Sequence, residues 1–104
     1  MAWFYYHQNN SGGFYARGMP HNLFVEAESA HVANARAEEV GVYFDGCDWG
    51  IDCDCCGDRW SRAYGPDYLP TNRDDYYAQE AKLLRAGSSQ LEDLFPTSPP
   101  ESAD

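Results

Sequence analysis

The chain has 104 residues, enough for one small domain. Hydrophobic residues at 43% and aromatics at 15% suffice for a packed core, and no apolar run approaches the ~20 residues of a membrane span. Seventeen Asp and Glu against seven Lys and Arg give a net charge of −10, which repels phosphate backbones and argues against nucleic-acid binding.

Trp3 to His7 is a β-favouring aromatic run, and Gln8 to Gly13 is the densest turn signal in the chain. Phe14 and Tyr15 then read as a return strand, completing an N-terminal hairpin. Leu23 to Ala27 predicts a third strand with Leu23, Val25 and Ala27 on one face. Ser29 is a good N-cap for a helix in which Ala30, Ala33, Ala37 and Val40 recur at helical spacing, and Gly41 sits where a left-handed residue ends such a helix. Small side chains on that stripe let a helix lie close to a sheet. Val42 to Phe44 predicts a fourth strand, Asp45 to Asp58 a cysteine-rich loop, and Arg59 to Tyr64 a closing strand.

Residues 71–86 read as a second helix with Tyr77, Ala81 and Leu84 as its apolar stripe and Gly87 as its stop. Ser89 and Glu92 match a capping box for a last short helix ending at Phe95. The tail from Pro96 to Asp104 has three prolines and no large apolar side chain, a composition that predicts disorder. Twelve of the sixteen aromatic residues precede residue 65, which places the core early. The expected fold is therefore α+β. Residues 1–64 form the core, with a small antiparallel sheet, one packed helix and a cysteine-rich loop resembling a zinc knuckle. Residues 65–95 form a C-terminal helical appendage, and 96–104 a disordered tail.

All four cysteines, Cys47, Cys53, Cys55 and Cys56, fall within ten residues. Cys53 and Cys56 form a C-x-x-C pair followed by Gly57, a turn that aims two thiolates at one ion. Cys47 can supply a third thiolate, and Cys55, His7, His21 or His31 the fourth ligand. The start of the chain shows no basic leader and no apolar signal segment. A reducing compartment is therefore expected, where disulfides are disfavoured. A redox C-x-x-C pair opens a helix, whereas Gly57 and Asp58 follow here. The favoured reading is a structural Zn2+ that staples a small core; free thiols and a disulfide or redox pair are the alternatives.

Other constellations carry weaker signals. Asn9, Asn10 and Ser11 ahead of two glycines can form a nest for a phosphate or carboxylate, or simply a solvated turn. Arg59, Trp60 and Arg62 are residue types enriched in binding hot spots. They suit a nucleotide base and phosphate, or else a core Trp with Arg59 paired to a neighbouring aspartate. Asp45, Asp48, Asp52, Asp54 and Asp58 make the cysteine loop acidic without the ligand pattern of an EF-hand. No nucleophile elbow or zinc-protease motif is present, so no enzymatic activity and no catalytic residue is expected.

Two stretches carry a resemblance. Trp3-Phe-Tyr-Tyr-His-Gln-Asn-Asn-Ser-Gly-Gly13, together with Tyr43-Phe-Asp-Gly46 and Asp52-Cys-Asp-Cys-Cys-Gly-Asp-Arg-Trp60, resembles a family of small proteins encoded by tailed bacteriophages. Phe4 stands where that family usually has Tyr, and the likeness covers residues 3–64. It implies a genetic setting and no chemistry, so no site residue is carried over. A small, acidic phage protein of this kind is expected to act in the host cytoplasm. The leading expectation is an accessory protein that binds and inhibits or redirects a host protein with a basic face, an antiviral defence component being one such target. The rival expectation is a small-molecule binder that sequesters a nucleotide signal through Arg59, Trp60, Arg62 and the Asn-rich turn.

Overall fold

The computed structural model describes residues 1–9, 19–52, 57–72, 74–75, 78 and 80–94. Four strands and one helix emerge from them. β1 (Ala2–His7) pairs antiparallel with β2 (Asn22–Ala27), Phe4 facing Val25 and Tyr6 facing Leu23. β2 pairs parallel with β3 (Ala81–Leu84), Phe24 facing Leu83. β3 pairs antiparallel with the short β4 (Glu92–Asp93). The sheet order is β1-β2-β3-β4.

The two-residue period of these strands sends side chains into two apolar clusters. Phe4, Tyr6, Leu23, Val25, Ala27 and Leu84 point to one face. There they meet Ala33 and Ala37 of the helix and the loop residues Val42, Phe44 and Trp60. Phe24, Ala81 and Leu83 point to the other face, covered in part by Trp3, Tyr5, Leu69 and Leu94. The face expected for Leu23, Val25 and Ala27 is the one observed.

Helix α1 (Ala30–Glu39) begins where Ser29 Oγ accepts from Val32 N–H at 3.2 Å. That bond satisfies one of the amides that an opening turn leaves unpaired. Ala33 and Ala37 are fully buried, so the helix backbone approaches β2 closely. Gly41 ends it at φ +118°, and a Cβ there would press on Met19 Sδ at 3.1 Å. Among the described residues no helix is long and apolar enough to cross a membrane.

The α+β class holds, with four differences. The sheet is mixed, because β2 and β3 run parallel; a parallel pair needs a long crossover, and α1 lies within it. The helix expected over 71–86 is not formed at its C-terminal end, where Ala81–Leu84 is a strand inside the sheet, and Leu84 joins the main core. Before it, Asp75 N–H bonds Asn72 O at 3.0 Å and Ala78 N–H bonds Asp75 O at 2.9 Å. The short helix expected after Ser89 is also absent: Glu92 and Asp93 pair with β3, and Ser88 Oγ accepts from Gln90 N–H at 3.1 Å. Ala81–Leu84 and Glu92–Asp93 thus form sheet where a helical appendage was expected.

Finally, Val42 to Phe44 and Arg59 to Tyr64 are irregular, although Val42, Phe44 and Trp60 are buried as core residues. The expected return strand at Phe14 and Tyr15, and the tail from Pro96, lie outside the described residues. The described antiparallel partner of β1 is β2.

Candidate functional site

The cysteine-rich loop is organised around the carboxylate of Asp52, whose side chain is 8% exposed. Its Oδ1 accepts from the Tyr43 hydroxyl at 2.9 Å, and its Oδ2 from the backbone N–H of Arg59 at 2.9 Å. The Arg59 guanidinium lies 4.0 Å from Asp52, donates through Nε to the Tyr43 hydroxyl at 3.2 Å, and reaches Gln8 Oε1 at 3.0 Å. Gln8, 1% exposed, donates in turn to Pro20 O. Burial and the Asp52 hydrogen bond push the Tyr43 hydroxyl above its usual range, with Arg59 opposing.

Gly46 closes the loop. Its carbonyl accepts from Ile51 N–H at 2.8 Å and Asp52 N–H at 3.0 Å, and a side chain at 46 would run into the Asp52 carboxylate.

Of the residues singled out from sequence, Cys47 is half-buried, and its N–H donates to Asp58 Oδ1 at 2.9 Å. Cys53, Cys55 and Cys56 lie outside the described residues, as do Asn10 and Ser11. Among the described residues no three His, Cys, Asp or Glu side chains are grouped to hold a metal. Of the candidate fourth ligands, His7 Nδ1 lies 3.1 Å from Asn22 Oδ1, His21 Nε2 3.5 Å from Glu80, and His31 is exposed on α1. Asn9 straps the loop exit, donating from N–H to Arg59 O at 2.8 Å and from Nδ2 to Asp58 O at 3.2 Å.

Trp60 is 1% exposed within the main core, so it offers no face on which a base could stack. Arg62 pairs bidentately with Asp45, at 3.1 and 2.7 Å, and its guanidinium lies 5.0 Å from the centre of the Phe44 ring. Asp45 adopts φ +60°, a conformation that aspartate tolerates better than most residues. The structure therefore joins Asn9 to Arg59, but assigns Trp60 to packing and Arg62 to a separate surface pair.

Sequence reasoning missed Gln8 and Tyr43 and did not single out Asp52 among the loop aspartates; all three are ordinary polar residues until the fold places them together. It also missed the opposite face of the sheet. There Asp67 N–H donates to Trp3 O at 2.8 Å and holds the strap Pro66–Pro70 beside β1. A depression of about 380 Å³ opens between this strap and the rings of Tyr5 and Phe24, and a second, of about 490 Å³, reaches Met1 and Trp3. Asp67, Tyr68 and Leu69 line both. Tyr68 is 93% exposed. The available signal was the alternation of Trp3 and Tyr5 against Phe4 and Tyr6, which gives β1 an aromatic side chain on each face.

No curated protein and no solved structure matches this chain. A family model does match, over residues 1–91, under the description "domain of unknown function". With most of its length inside that match, the chain belongs to the domain-of-unknown-function family DUF7296.

Proposed function

We propose that this chain is a non-enzymatic phage accessory protein that binds a host protein through a basic face of that partner and inhibits or redirects it in the host cytoplasm. One observation carries the reading. Each of the five described Lys and Arg residues is engaged within the chain. Arg36 donates to the carbonyls of Glu26, Arg85 and Ser88, and Arg59 is held beside Asp52. Arg62, Lys82 and Arg85 pair with Asp45, Asp93 and Glu92. A chain of net charge −10 whose described cations are occupied in this way presents excess carboxylate to its surroundings. Complementarity then favours a cationic partner and disfavours a polyanion. Exposed Trp49, Ile51, Tyr64 and Tyr68 supply apolar anchors of the kind that interfaces bury. A structural Zn2+ on Cys47, Cys53, Cys55 and Cys56 belongs to the same reading, as a staple for the loop that carries Trp49 and Ile51.

The nucleotide-sequestering alternative has less support, because Trp60 is buried and Arg59 and Arg62 already face carboxylates. The purified chain, used as bait in host lysate at 0.05 and 0.5 M salt, tests the proposal. Capture of a basic protein, lost at high salt as screening shortens the reach of charge, is the expected result. Capture of nucleic acid, or micromolar binding of a nucleotide in calorimetry, overturns it.

A further inference from the structure

The chain holds two of its own arginines in the same way, with a carboxylate at the guanidinium edge and an aromatic ring beside it. Arg62 takes Asp45 and Phe44. Arg85 takes Glu92 at 3.1 Å and lies 5.9 Å from the centre of the Trp3 ring. Such a site uses both properties of a guanidinium, a planar fork that matches carboxylate and a cationic face that suits an aromatic quadrupole. The depression behind the Pro66–Pro70 strap has the same two components. The Tyr5 and Phe24 rings, 5.1 Å apart and inclined at 37°, line it together with Tyr68 and Asp67. Asp75 also lines it. No Lys or Arg lines it among the described residues. Its volume of about 380 Å³ falls in the range of sites that enclose a small ligand or an anchoring side chain.

We infer that this groove is the docking site for an arginine side chain of the basic partner, carried on an extended peptide segment that also covers Tyr68 and Leu69. The inference rests on the proposed basic protein partner and gives that partner a contact point. The guanidinium lies against the Tyr5 and Tyr68 rings and bonds the Asp67 carboxylate, while a neighbouring apolar side chain fills the second depression beside Trp3. Aromatic and arginine anchors of this sort dominate interface energetics.

The test uses the full chain, isotope-labelled for amide NMR, and the probe peptide acetyl-Pro-Arg-Leu-Arg-amide. The control is the same peptide with citrulline, a neutral isostere, in place of arginine. Saturable shifts at the amides of Tyr5, Leu69 and Thr71 are expected, with citrulline binding at least tenfold weaker. Tyr68→Ala and Asp67→Asn, both on the surface strap, should each weaken binding about fivefold while the rest of the spectrum stays native. Equal affinity for the citrulline peptide overturns the inference, as does full binding by both variants. Binding confined to an Arg73→Ala chain would give the groove to the chain's own Arg73, and overturns it too. Shifts centred on Trp49 and Ile51 would overturn the groove alone and leave the basic-partner reading standing. Loss of both peptide binding and lysate capture overturns the two together.

Discussion

Arg59 Nη1 donates to Gln8 Oε1 at 3.0 Å, across 51 positions of sequence. The contact ties the end of β1 to the exit of the cysteine-rich loop, with both side chains largely inside the protein. Hydrogen bonds from a charged donor in such a setting are worth about 1.5–3 kcal/mol. Arg59→Leu should therefore destabilise the fold by about 2 kcal/mol or more, because the Asp52 carboxylate also loses the guanidinium beside it. Gln8→Leu should cost less, since it removes only neutral groups, the acceptor for Arg59 and the donor to Pro20 O, and leaves Arg59 beside Asp52. Urea midpoints for both variants check the order; an Arg59→Leu chain as stable as the parent would show that the network is decorative.

The loop depends as strongly on the absence of a side chain. Gly46→Ala places a methyl group against the Asp52 carboxylate and 2.9 Å from Tyr43 Cε2. The tyrosine and the Arg59 backbone fix that carboxylate, so it has little freedom to retreat. A loss of about 1–3 kcal/mol is expected, the usual range for overpacking, with faster amide exchange at Ile51 and Asp52, whose N–H groups bond the Gly46 carbonyl.

Tyr6 should make the protein sensitive to alkali. Its ring is 1% exposed, and its hydroxyl donates to Asn34 Oδ1 at 2.6 Å, while the same Asn34 oxygen accepts from Ala63 N–H at 3.0 Å. Burial holds the Tyr6 hydroxyl far above the ordinary tyrosine range, and burial also raises Tyr43. Groups bound more tightly to their protons when folded contribute stability below the unfolded value of ~10, and that contribution is lost as pH rises above it. Stability should thus fall from about pH 10 upward. Tyr6→Phe should cost about 1 kcal/mol at neutral pH through the lost hydrogen bond and make the alkaline decline shallower. Denaturant melts at pH 7 and pH 11 decide; an equally steep decline in the variant would place the alkaline sensitivity elsewhere.

These networks show what the sequence could and could not disclose. Helix α1 was legible because Ser29, the alanine stripe and Gly41 are local signals that agree with one another and with the fold. β2 was legible because Leu23, Val25 and Ala27 alternate. β3 was not, for a physical reason. Ala81, Lys82, Leu83 and Leu84 are all strong helix formers, and a strand paired in the sheet interior buries both faces, so its apolar residues run together instead of alternating. Pairing with β2 overrides the propensity. Trp60 was correctly allowed as a core residue with Arg59 on an aspartate, but that aspartate, Asp52, could not be picked from the five in the loop by spacing. The groove under Tyr68 was invisible because it joins β1 to a strap some sixty residues away.

The Asp45–Arg62 pair sits at the surface and predicts a pH response of opposite sign. The Arg62 hydrogen bonds hold the Asp45 carboxyl below its usual range, and the same contact raises Arg62. A carboxylate depressed in this way keeps its contribution above the ordinary value of ~3.9 and loses it as pH falls through the lower folded value. The carboxyl resonance of Asp45 should therefore titrate below pH 3.9, and Arg62→Gln should return it to the ordinary range. Because the pair is solvent-exposed, the variant should unfold at nearly the parent midpoint. A carboxyl that titrates normally in the parent would show that the pair does not persist in solution.

The proposed zinc staple makes the last prediction. Three thiolates in a loop of this size must be deprotonated to bind, and the free energy of binding then adds to the free energy of folding. About one zinc per chain is expected by elemental analysis of protein purified without a metal-binding tag, through Cys47, Cys53 and Cys56, with Cys55 as a candidate fourth ligand. Chelation should lower the melting temperature by many degrees, and Cys53→Ser should do the same without chelator. The loop is bonded to the rest of the fold through Asp52, Arg59 and Gln8, so the loss should reach Tyr43 and Asn9 before α1. Amide exchange in chelator gives that order directly. A chain that holds no zinc and melts unchanged in chelator removes the staple, and leaves the Asp52 network to hold the loop on its own.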